Sequence, residues 1–314
     1  MPLNNRYRFM FKKTVILITT AALWSAGVSA RTFSPEAATA ARQQIETLLQ
    51  DKKATVGVAC SIDGDDFALN DTVRYPLMSV FKLHVAVAAL QRMEAEGTRL
   101  DEALTIDSTQ MHRDTYSPLL GLYPSGNFRI SYADLLHYAL ALSDNNACDI
   151  LIDYAGGIGA IKHCIDRAGI TGYDLAETEA SMHADIPACY RNWAHPSSVV
   201  QLLQKILDGS LLNEEHTRFM RTTLVETSTG LNKIRAGLPP EIVLGHKTGS
   251  SGQLPNGLTI ADNDASFFCL PDGRLCFLVV LVKDSRESET TNAALIARIA
   301  RIVYDTATAN QLSR

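Results

Sequence analysis

Apolar positions along the chain change their spacing several times, and each change marks an element. Behind Ser34-Pro35-Glu36, a serine N-cap with proline at the first helical position, the pattern predicts a helix to about Lys52. TVGVACSIDG then reads as a strand ending in a turn, with DDFALN as its hairpin partner. From Ser79 to about Gly97 the near-continuous apolar run suits a deeply buried helix. SYADLLHYALALS and PSSVVQLLQKILDGS are further helices, separated by polar loops that run to about Gly230. After Pro239-Pro240 the pattern returns to strands in EIVLGHKTG, LTIADNDASFFCL and RLCFLVVLVKD. An amphipathic helix from about Glu289 to Tyr304 follows them.

Strands at both ends and helices between predict an α+β fold in which the two ends share one sheet. The expected division is an α+β lobe from residues 31–77 and 231–314, with a helical lobe, 78–230, inserted into it. A site belongs in the groove between them. Residues 1–30 stand apart. Arg6, Arg8, Lys12 and Lys13 precede the apolar run TVILITTAALWSAGV and the small-residue site Val28-Ser29-Ala30, which together read as a signal peptide. That predicts export to a bacterial periplasm, with no stable membrane association after cleavage. No repeat or low-complexity tract interrupts the rest.

Charge and cysteine narrow the function. Removing those four basic residues, with no acidic ones, takes the formal charge from −5 to −9. Such an acidic chain argues against a nucleic-acid partner and for a small-molecule one. The six cysteines (60, 148, 164, 189, 269 and 276) do not form a small-scaffold disulfide framework. Cys269 and Cys276 flank the turn Pro271-Asp272-Gly273 and are expected to face each other across a hairpin. No CxxC or His-x-x-x-His spacing supports a metal site, and no cofactor is expected.

The chemistry sits in three short motifs. Ser79 and Lys82 lie three apart on a helix, so the amine reaches the hydroxyl. A serine needs a base to become a nucleophile, and desolvation by the apolar run would lower the lysine's pKa to suit. Ser143-Asp144-Asn145 follows an apolar helix, and Lys247-Thr248-Gly249 ends an apolar strand. Singly these are a helix cap and a charged strand edge. In this order and number they form a catalytic signature.

On these motifs the chain resembles the class A serine β-lactamases, within the wider group of penicillin-recognising enzymes. The likeness runs over essentially the whole chain after residue 30. It implies a β-lactamase/transpeptidase-like fold, with an antiparallel five-stranded sheet flanked by helices, and a monomer that hydrolyses penicillins and cephalosporins. It also implies roles: Ser79 as nucleophile, Lys82 and Ser143 as proton-transfer groups, and the backbone amides of Ser79 and Ser250 as an oxyanion hole. Tyr116, Asn145, Lys247 and Thr248 would bind substrate, with Lys233 or Arg235 as candidates for a second carboxylate-binding cation. Of Glu177 and Glu179 in AETEASMHAD, the family's spacing selects Glu179 to activate the deacylating water. Whether Lys82 or Glu179 takes the first proton stays open.

The loop departs from the family's usual Glu-Pro-x-x-Asn, with Ala180 for the proline and His183 for the asparagine. His183 would hold the water instead. Glu-Ala-x-Met-His and HKTGSSG resemble the PER-type extended-spectrum branch, and the long turn SGQLPNG suggests a mouth wide enough for bulky cephalosporins.

Overall fold

The computed structural model describes residues 33–309. The predicted signal peptide lies outside them.

Nine α-helices of six residues or more can be named among the described residues: α1 (Pro35–Leu49), α2 (Lys82–Glu96), α3 (Tyr132–Ala141), α4 (Asn145–Ala155), α5 (Ile158–Arg167), α6 (Glu179–Ala184), α7 (Pro196–Leu207), α8 (Glu214–Val225) and α9 (Glu289–Thr308). The main sheet has five strands: β1 (Thr55–Ile62), β2 (Asp65–Leu69), β3 (Leu244–Ser250), β4 (Thr259–Cys269) and β5 (Leu275–Ser285). Their order is β2-β1-β5-β4-β3, antiparallel throughout, so strands from the two ends of the chain meet at β1 and β5.

Both sheet faces are covered, which explains the unbroken apolar runs of β1 and β5. Leu278, Val280 and Val282 face a core shared with Ile45 of α1 and Ile296 and Ile299 of α9. Val279 and Leu281 face the other way, into a core with Val199 and Leu203 of α7 and the helices beyond. The Ser34 hydroxyl accepts from Ala37 N as the predicted cap. Helix α2 forms behind a short 3₁₀ turn, Met78–Phe81, and stops at Gly97, whose φ of 71° favours glycine.

The hairpin expectation for Cys269 and Cys276 is corrected. Cys269 lies opposite Leu275 and is exposed, whereas Cys276 lies opposite Phe268 and is buried. Side chains alternate faces along a strand, so neighbouring registers send the two thiols to opposite sides of the sheet. No described helix is long and apolar enough to cross a membrane.

Candidate active site

The turn that carries Ser79 is held from two sides. Met78 adopts φ 45°, in the left-handed region, so the chain bends sharply just before Ser79. Leu77 N donates to Asn192 O, and buried Asn263 of β4 donates through Nδ2 to the carbonyls of Pro76 and Leu77. Asn263 Oδ1 also accepts from Val282 N, which ties this turn to β5. Strand β3 packs directly against the turn because residue 249 is glycine. A Cβ there would lie 2.6 Å from Leu77 O and 3.0 Å from Ser79 N.

At the start of α2, Lys82 Nζ donates to Ser79 Oγ at 2.8 Å, to Asn145 Oδ1 at 2.8 Å, and to Glu179 Oε1 in a very short contact. Ser79 Oγ lies 3.4 Å from the same carboxylate oxygen. Lys82 and Glu179 are both buried. Burial works hardest against the ammonium, but the adjoining Glu179 carboxylate, with Cys148 and Asp149 close by, leaves the Lys82 pKa raised overall. This corrects the expectation that apolar surroundings would lower it. The lysine is desolvated, yet it is paired.

A second cluster lies alongside. Ser143 holds φ 59°, and its hydroxyl accepts from Lys247 Nζ at 2.9 Å. Lys247 also donates to Thr248 O, while Thr248 Oγ1 shares a 2.7 Å hydrogen bond with Thr229 Oγ1. Lys247 is buried, and no carboxylate among the described residues pairs with it. Burial, aided by the Lys82 charge, pushes its pKa well below the usual lysine range. Asp144 caps α4 by accepting from Ala147 N, and it gathers Ser117 Oγ and Leu119 N as well. It therefore holds the segment that presents Tyr116, whose carbonyl accepts from Asn145 N.

Glu179 opens α6 behind a Thr178 cap. Asp149, four residues after Asn145 on α4, accepts Glu179 N on one carboxylate oxygen and Ala180 N on the other, each at 2.8 Å. Desolvation pushes the Asp149 pKa up to about 6. Asn192 clamps the approach to α6, accepting from Ala176 N and Glu177 N and donating to Glu177 O. Glu177, the other candidate carboxylate, pairs with Arg191 and Ser181 instead. Sequence reasoning missed Asp149, Asn192, Thr229 and Asn263. The i,i+4 spacing from Asn145 to Asp149 was the one available signal, since it puts both on one helix face.

An open groove of about 460 Å³ leads to these clusters, with Tyr116, Asn145, Glu179, His183 and Ser250 among its walls. Tyr116 and Ile186 are exposed at its edge, and Ser251 and Leu254 bring the turn after β3 into it. That turn is folded onto α9, through Gln253 N to Glu289 Oε1. His183 stays outside the Ser79 cluster, with its Nε2 3.5 Å from Asp114 Oδ2 across the mouth. The two candidates for a second cation are engaged elsewhere. Lys233 pairs with Asp262 and Asn263 O, and Arg235 donates to the carbonyls of Leu238, Pro239 and Ile242.

This sheet-and-helix architecture is that of the class A β-lactamases, a class of hydrolases, and comparison with known proteins agrees. Residues 40–307 match the model of the beta-lactamase enzyme family, and the chain belongs to that family. A β-lactamase of Bacteroides uniformis is 47% identical over 264 residues, covering 83% of this chain and 89% of its own. The extended-spectrum β-lactamase PER-1 of Pseudomonas aeruginosa is 36% identical over 265 residues, covering 84% and 86%. Among solved structures, a class A β-lactamase from Bacteroides cellulosilyticus superposes with a TM-score of 0.85 at 41% identity, covering 87% of this chain and 99% of that one.

Proposed function

We propose that the protein opens the β-lactam ring of penicillins and cephalosporins through an acyl-enzyme on Ser79, which Glu179-activated water then hydrolyses. The observation that carries this reading is the contact of one carboxylate, Glu179, with both the nucleophile and its lysine. Lys82, held as an ammonium, donates to the Ser79 oxygen and cannot accept, so Glu179, 3.4 Å away, takes the hydroxyl proton. As Ser79 attacks, the backbone N–H groups of Ser79 and Ser250 stabilise the developing oxyanion, each donor contributing about 3 kcal/mol. The departing ring nitrogen takes a proton from Ser143, whose hydroxyl Lys247 biases, and the proton held by Glu179 passes through Lys82 and solvent back to Ser143, so that Glu179 is a carboxylate again. Lys247 and Thr248 receive the substrate carboxylate, by charge and hydrogen bond. Asn145 and Tyr116 line the side-chain subsite, with His183 at its rim. In the second half, Glu179 takes a proton from water, the hydroxide attacks the ester, and Ser79 leaves as its oxygen takes that proton back from Glu179.

In this reading the enzyme is exported, works in the periplasm as a monomer, and confers resistance on its host. Mixing the protein with excess chromogenic cephalosporin and following absorbance and intact mass tests the chemistry. Many turnovers per molecule are expected; a single equivalent with a lasting adduct would leave a penicillin-binding protein. In Glu179→Ala, steady-state turnover should fall by roughly 10²–10⁴-fold with the acyl-enzyme accumulating. Undiminished turnover would remove Glu179 from the mechanism.

A further inference from the structure

The six thiols are not equivalent. Cys148 is buried on α4, Cys164 donates to Gln91 Oε1, Cys189 sits against Met182 O, and Cys269 is exposed. Cys60 and Cys276 differ from these because they touch each other, with their sulfurs 3.9 Å apart.

Their placement follows from the sheet. Strands β1 and β5 are antiparallel neighbours, with Cys60 opposite Leu278 and Ile62 opposite Cys276. The two cysteines are therefore diagonal partners, two positions apart in register and on the same face. All four residues belong to the core under α1 and α9, on the face away from Val279 and Leu281. Both thiols are essentially inaccessible, and burial pushes the Cys276 thiol well up. Neither sulfur is needed by the chemistry at Ser79.

We infer that Cys60 and Cys276 are a disulfide site that closes when the chain folds in the presence of a small-molecule or protein disulfide. The exchange is balanced. One cysteine thiolate attacks a sulfur of the donor disulfide and expels a thiol, which gives a mixed disulfide. The second thiolate then displaces the other donor thiol, so the protein loses two hydrogens and the donor is reduced to two thiols. A sulfur–sulfur bond is about 2.05 Å long and diagonal strand neighbours sit about 7–8 Å apart, so closing it turns the side chains and draws the two strands together locally. Both sulfurs are closed off from any donor disulfide in the folded chain, so the exchange happens before β5 has sealed against β1. Once formed, the bond links positions 216 residues apart and removes much of the freedom of the unfolded chain.

The test is made on the whole protein, unfolded and reduced, then refolded with either a reduced/oxidised glutathione mixture or dithiothreitol. Peptide mapping without reduction should show one linked pair, Cys60 to Cys276, only in the glutathione sample. Its melting midpoint should lie several degrees above that of the dithiothreitol sample, whereas a Cys60→Ala chain should melt alike in both. Turnover of a chromogenic cephalosporin should agree within about two-fold between the two wild-type samples, consistent with a bond on the far sheet face. Two free thiols at 60 and 276 after oxidative refolding, or a linked peptide joining either to another cysteine, would overturn the inference. Neither the peptide map nor the melting midpoint depends on the catalytic roles proposed for Ser79 and Glu179.

Discussion

A lysine ammonium has three protons to donate, and Lys82 spends all three on Ser79, Asn145 and Glu179. The sequence made the Ser79–Lys82 pair legible but gave the wrong direction for the lysine, because the carboxylate that charges it lies 97 residues away. Removing one partner leaves the other buried and unpaired. Lys82→Ala and Glu179→Ala should therefore each destabilise the fold, by roughly 3–5 kcal/mol for an uncompensated buried charge. The double variant should cost clearly less than the sum, as read from denaturant midpoints. Strict additivity would mean that the pair does not couple. Lys247 is the opposite case. With its folded-state pKa depressed by burial, it opposes folding while charged, and that penalty is relieved as pH rises from its folded value toward 10.5. The same rise removes the charge that receives substrate. The alkaline limb of kcat/KM should then fall below the ordinary lysine range and move upward in Lys247→Arg.

At the scale of elements, α6 exists where it does because Asp149 of α4 holds its first two amides. Asp149 titrates at about 6, and two consequences of opposite sign follow. As an acid with a raised folded-state pKa, it favours folding most below about 3.8 and loses that contribution as pH climbs through about 6. Its grip on α6 behaves inversely. Protonation takes one acceptor from the two amides, so Glu179 is released as pH falls through the same value. Deacylation should fade below about pH 6 while acylation is spared, which burst kinetics can separate. Asp149→Asn, whose amide NH2 would face one of the two N–H groups where an acceptor now stands, should slow deacylation at every pH by roughly ten-fold or more. Helix and strand positions were largely readable from periodicity and caps. The anchoring of α6 was not, since short loop helices carry little pattern of their own and are fixed by contacts from elsewhere.

Across the molecule, the α+β class and the meeting of the two chain ends in one sheet followed from where the strand-like runs lay. What the pattern could not supply was register, because the apolar runs of β1 and β5 are buried on both faces and lack alternation. That is why Cys276 was matched to Cys269 and not to Cys60. The buried Asn263 of β4 was equally hidden, as one polar residue in LTIADNDASFFCL gives no hint that it reaches Pro76 and Leu77, 187 and 186 positions earlier. That long reach bears on the order of synthesis. A ribosome will have made Ser79, Lys82, Ser143 and Glu179 well before it makes the asparagine that holds the nucleophile's turn, so a growing polypeptide carries its reactive groups without the brace that orders them. Chains stalled before β4 should leave a fluorescent penicillin unreacted, while completed chains take it up. The cell would thus gain a working enzyme only after β4 has been made.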